Sequence, residues 1–208
     1  MLVRQAIEKR RSVRHYVPGI TISDSELTDL FEQVRLTPSS FNLQHWQFIV
    51  VRDPATKQQI REASWNQAQV TDAAATIVVA VDPHAFHHGA DIWGKSEVPD
   101  QVKKLFSEMI PGFYGGKPDL MRDEALRSCG MAAMTLMVAA EGMGWQTCPM
   151  IGFDPQRVSE IVKLKAPSFP GMLITLGKAD SSKPTGARPY RRPLSDFVSL
   201  DSAEGARL

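Results

Sequence analysis

Cysteine is almost missing from this 208-residue chain: only Cys129 and Cys148 occur. Two cysteines cannot make a disulfide framework, and a reducing compartment is the natural reading. A surplus of charge is missing too, with 24 Lys and Arg against 23 Asp and Glu, a net of +1. No global field draws in nucleic acid or an anionic membrane, so any anion binding has to come from a local cluster. There is no CxxC, no HExxH, no GxGxxG or GxxxxGK[ST] phosphate loop and no GxSxG elbow. Zinc sites, nucleotide-binding loops of those kinds and acyl-transfer triads lose their usual carriers. The His84, His87 and His88 group has only Asp82 and Asp91 at ligand spacing and does not make a metal site. The opening MLVRQAIEKRRSVRHY has no apolar signal core, and the longest weakly polar run, Cys129 to Ala140, is too short for a bilayer. Repeats and low-complexity tracts are absent. With 43% hydrophobic and 23% charged residues, a single soluble, cytoplasmic domain over 1–208 is expected.

Periodicity sets out the elements. Val3, Ala6 and Ile7 give Leu2 to Arg10 a helical spacing. Ser23 with Glu26 makes a capping box for a helix from Asp24 to Leu36, which Pro38 stops. Trp46 to Val51 reads as a strand and Thr56 to Gln69 as a helix. Thr76 to Val81 is a continuous apolar run, suited to a central strand buried on both faces. Between His84 and Pro118 the period fades among scattered aromatics, Gly and Pro, which suggests a lid-like excursion. Asp123 to Gly142 is a helix apolar nearly all round, so it is buried or packs on a second copy. Trp145 to Met150 and Met172 to Leu176 close the strand list, before an arm from 178 to 208 rich in Pro, Arg and Ser. Helices outnumber strands, and the class is α/β or α+β.

Four segments could carry chemistry. Lys9 to Arg14 holds four cations and a hydroxyl, which fit a phosphate or, equally, a solvated helix end or a nucleic-acid patch. Thr37 to Trp46 is dense in donors around a Pro turn; it is a ligand loop or an ordinary self-capped connection. Trp65 to Val70 offers amide donors and acceptors suited to a planar heterocycle, or simply a polar helix end. Cys148 to Pro155 is a strand end with Gly152, where backbone can approach a ligand, while Asp154 before Pro155 reads as a helix cap.

Together these segments resemble the FMN-dependent nitroreductase family. The resemblance is carried by Arg10-Arg-Ser-Val-Arg14, Pro38-Ser-Ser-x-Asn42-x-Gln44-x-Trp46, Asn66 with Gln69, Pro149-x-x-Gly152-Phe153 and Arg191-Arg192-Pro193-Leu194, in the family's order. It implies an α+β sandwich, with a mostly antiparallel central sheet flanked by helices, in an intertwined homodimer. Each FMN would be held by residues of both chains, and the Arg-Pro arm would reach across the partner subunit. Arg10, Arg11, Ser12 and Arg14 match the FMN motif, with Arg10 on the phosphate and Arg191 a second phosphate ligand. Arg188 is a weaker candidate of the same kind. Pro38, Ser39, Ser40 and Asn42 match the loop that lines the cofactor from the partner chain. Asn66 matches a contact to the ribityl chain and ring edge, and Gln69 falls where many relatives carry Lys. Pro149, Met150, Ile151 and Gly152 match the strand end facing flavin N5.

The reaction so implied is a two-step cycle: NADH or NADPH reduces the flavin and leaves, and an acceptor then collects the electrons. The cofactor does the chemistry, so no side chain is named as catalytic. Nitroaromatics, quinones, enones and aldehydes all fit as acceptors. A flavin-destroying or dehalogenating relative, and a non-enzymatic flavin-binding or sensing module, are the alternatives.

Overall fold

A computed structural model describes residues 1–208. Its single sheet is four-stranded and antiparallel, ordered β1 (Trp46–Val51), β2 (Ala75–Val81), β4 (Phe169–Gly177) and β3 (Gln146–Met150). All seven residues of β2 are buried, because helices cover both faces of the sheet. Ile77, Val79 and Val81 turn to one core, with Ile174 and Leu176 of β4. That face is covered by α2 (Asp24–Val34) and the long α7 (Pro118–Gly142). Val78 and Leu173 turn to the other core, under α3 (Pro54–Glu62), α4 (Gln69–Asp72) and α8 (Pro155–Ile161). The apolar run of β2 thus has the alternation of a pleated strand with both sides dry. No helix is long and apolar enough to cross a membrane.

β3 is an edge strand, and the N-terminal segment covers that edge. After α1 (Val3–Lys9), Ser12 bridges Thr147 in parallel and Val13 N–H donates to the Thr147 carbonyl at 3.0 Å. Val17 N–H then donates to Lys178 O at 2.9 Å. Covering the edge satisfies its backbone groups and fixes Arg10 to Arg14 beside β3.

Several expected elements differ in extent. Ser23 caps α2 and Asp154 caps α8 as their spacing implies. The helix expected from Thr56 to Gln69 instead starts at Pro54, with Asp53 as its cap, and stops at Glu62. Trp65 and Asn66 then adopt left-handed conformations, at φ 53° and 55°, which no helix can run through. The expected excursion over 84–118 is largely helical, with α5 (Gly89–Gly94) and α6 (Asp100–Tyr114) leading straight into α7. The α7 helix therefore begins at Pro118, a turn before Asp123.

Candidate functional site

Two groups of sequence-nominated residues meet around β3. Along its covered edge, Arg10, Arg11, Ser12 and Arg14 line a cavity of about 360 Å³ with Arg188, Arg191 and His15. Residues 184–191 close it by folding back over the N-terminal segment. Arg188 Nη2 donates to Glu8 O at 2.7 Å and Arg10 O at 3.2 Å, capping α1, and Arg11 Nη2 donates to Gly186 O at 2.7 Å. Arg191 bonds only to the carbonyls of Pro189 and Tyr190. Five guanidiniums line this cavity, no carboxylate does, and no ion pair of the chain engages any of the five. Two buried groups feel their field. Burial pushes the Glu141 carboxyl up and Lys9 and Arg10 draw it back; burial pushes the Cys148 thiol up and Arg14 and Arg10 draw it back.

The second group sits at the end of β3. Met150 is buried, Ile151 is 80% exposed, and Gly152 lies under the indole of Trp65, itself 78% exposed. A Cβ at position 152 would stand 2.6 Å from the Trp65 ring, so the indole keeps this place only over a glycine. Gln67 Nε2 donates to Gly152 O at 3.1 Å, joining the Trp65–Gln69 turn to the strand end. Gln69 is buried, and its Nε2 donates to Gln67 Oε1 at 2.9 Å and reaches Met150 Sδ at 3.7 Å. The structure thus uses the Gln69 amide to knit the turn, where the sequence suggested a donor to a ligand. Asn66 is the exposed amide of the turn. Trp65 and Gln67 lay within the nominated Trp65–Val70 segment but were given no role of their own, and sequence reasoning missed His15.

Pro38, Ser39, Ser40 and Asn42 lie elsewhere in the chain. Pro38 borders an apolar groove of about 630 Å³ with Val3, Ile7, Met131 and Met134, and none of the four lines the arginine cavity. Their loop is strained, with Phe41 at φ 51°, Asn42 at 55° and Gln44 at 49°. It is held by Ser39 Oγ accepting from Gln44 N–H at 2.9 Å, Tyr114 Oη donating to Ser40 Oγ at 2.8 Å and Trp93 Nε1 donating to Phe41 O at 3.0 Å. Up to Arg188 the arm bonds back to the N-terminal segment, and from Pro189 onward it hydrogen-bonds only within itself.

The fold and the site define an α+β protein with an arginine-lined cavity along one sheet edge and an exposed amide turn at that strand's end. The nitroreductase family model matches residues 7–178. The chain is 44% identical to the protein DrgA of Synechocystis sp. (strain PCC 6803), with 94% of each covered. It is 35% identical to MhqN of Bacillus subtilis (strain 168), which carries an NAD(P)H nitroreductase name, over 92% of this chain and 95% of that one. A protein of Exiguobacterium sibiricum solved in complex with FMN superposes with a TM-score of 0.88 at 29% identity, covering 96% and 97%. The chain belongs to the nitroreductase family, a family of FMN-dependent oxidoreductases, and is an enzyme of that class with FMN as cofactor. Its own residues fit that group: five unpaired guanidiniums and a serine are a donor set for a phosphate dianion.

Proposed function

We propose that the protein is an FMN-dependent NAD(P)H oxidoreductase that reduces nitroaromatic, quinone or enone and aldehyde acceptors in a ping-pong cycle. The observation that carries this reading is the unpaired arginine cavity, set against a strand whose end presents exposed backbone and an amide turn. Arg10, Arg11, Ser12, Arg14 and Arg191 would hold the phosphate of FMN. Arg188, committed to the last carbonyls of α1, would hold the cavity's shape and add charge. Asn66 would meet the ribityl chain and ring edge, and the Pro149–Gly152 backbone would face the ring. Gln69 would act behind them, orienting Gln67. FMN held there would supply the redox chemistry that links a nicotinamide donor to the acceptor. This chain's contribution is binding, orientation and a fixed electrostatic field.

A second copy of the chain would complete the site. Pro38, Ser39, Ser40 and Asn42 are too well organised, with three left-handed residues held by side chains, to be a mere connection. They stand beside an apolar groove rather than beside the arginines. A two-fold arrangement that covers the groove would carry each loop to the other chain's cofactor.

Absorption spectra of the purified protein, followed by anaerobic titration with NADH and NADPH, test the proposal. The expected outcome is a yellow protein with about one FMN per chain, bleached on addition of a nicotinamide and recoloured by a quinone or nitroaromatic. A yellow protein inert to both nicotinamides would be a flavin-binding module and would end the oxidoreductase reading.

A further inference from the structure

The turn that carries Asn66 is held by a side chain outside the site so far described. Arg61, on the last turn of α3, grips Asn66 at three atoms. Its Nε donates to Asn66 Oδ1 at 2.9 Å and to Asn66 O at 3.3 Å, and its own carbonyl accepts the Asn66 N–H at 3.0 Å. The other arm of the fork, Nη1, donates to Thr71 Oγ1 at 2.9 Å, beyond the turn. The guanidinium therefore spans Asn66 to Thr71. It belongs to none of the chain's ion pairs, so its charge is spent on these neutral oxygens.

Two consequences follow for Asn66. It stands in the left-handed region, directly after Trp65 in the same conformation, which a bulky side chain such as Trp65 rarely adopts. Such geometry persists where the surroundings over-determine it, and the three-point grip does so here. With Oδ1 taken by a cation, the amide's orientation is fixed: Nδ2 points its two hydrogens away from Arg61 and makes no hydrogen bond within the chain. A donor so polarised is a stronger one.

We propose that Arg61 is a positioning residue, which locks the Asn66 amide with Nδ2 turned outward as a pre-set, polarised donor to a carbonyl or hydroxyl oxygen of the bound flavin. The inference rests on the assignment of Asn66 to the cofactor made above. Arg61 itself touches no ligand; it removes the ordering that Asn66 would otherwise undergo on binding.

The test is a double-mutant cycle on the FMN-loaded protein, reading FMN affinity by flavin fluorescence and the midpoint potential by dye equilibration. Arg61→Gln is expected to weaken FMN about tenfold, the order of one charge-assisted hydrogen bond. Asn66→Ala should lose a similar factor and also move the potential. In the Asn66→Ala background the Arg61 effect should vanish. Arg61→Lys keeps the charge without the fork and should lie between; it carries the cycle if Arg61→Gln does not fold. A loss from either Arg61 variant that is undiminished beside Asn66→Ala means Arg61 acts through the general fold, and overturns the proposal. Wild-type affinity in Arg61→Lys or Arg61→Gln overturns it as well. If Asn66→Ala alone leaves affinity and potential unchanged, it is the cofactor assignment of Asn66 that has failed, and this inference falls with it.

Discussion

At the scale of single residues, charge without partners is the main signal. A cation cluster at a helix end is ordinarily solvated, and Arg10 does sit at the C-cap of α1. Here the helix end is already capped by another cation, Arg188, so Arg10 and Arg11 are not needed there. Five cations facing one cavity repel one another, and a bound phosphate dianion relieves that repulsion. Arg10→Ala is therefore expected to weaken FMN by about 1–3 kcal/mol, the range of a charge-assisted contact. The loss should shrink as salt is raised, because the contact is screened. Equilibrium binding of FMN at low and high ionic strength checks both statements; unchanged affinity removes Arg10 from the phosphate site.

At the scale of elements, the legible parts were those where one local rule acted alone. The capping box at Ser23, the Asp-Pro start of α8 and the apolar run of β2 could all be read directly from the chain. The α3–α4 break was not legible, since Trp65 and Asn66 turn left-handed without a glycine to announce it. The α6 helix was missed for a different reason. Val102, Leu105, Phe106, Met109, Ile110, Phe113 and Tyr114 keep a helical period, but Pro111 and Gly112 interrupt its reading. Its role was equally hidden. Phe106, Phe113 and Tyr114 surround the ring of Phe41 with centroids at 6.1, 5.2 and 5.9 Å, so α6 buttresses the strained loop at Ser39 to Gln44. Tyr114→Phe keeps the ring and deletes the hydroxyl that Ser40 accepts from. Unfolding free energy should fall by about 1 kcal/mol, with a parallel loss of FMN affinity if the loop lines a cofactor site. Chemical denaturation and FMN titration of the same variant measure both, and a variant equal to wild type in each refutes the buttress.

For the whole molecule, what one chain leaves exposed argues for a second. Val3 and Ile7 of α1 and Met131 and Met134 of α7 border the apolar groove beside Pro38, and all four are exposed. This resolves the apolar circumference of α7: one side fills the core under the sheet and the other is left open. The arm repeats the pattern. Tyr190, Leu194, Phe197 and Leu200 are exposed, and beyond Arg191 every hydrogen bond of the arm closes on the arm itself, as between Leu200 N–H and Ala206 O. Sixteen residues organised around their own contacts, with apolar side chains outward, add little to the stability of a single chain. In the proposed dimer they would grip the other chain. Deleting residues 193–208, which spares Arg188 and Arg191, should therefore leave the far-ultraviolet spectrum of the chain unchanged. It should also shift the proposed dimer towards monomer in sedimentation at micromolar concentration. FMN should be lost in step with the monomer fraction, because each cofactor would depend on a Pro38–Asn42 loop from the other chain. A truncated protein that remains dimeric with full FMN would show that the arm is dispensable and that the α1–α7 groove alone joins the subunits. A full-length chain that holds FMN as a monomer would remove the shared site altogether.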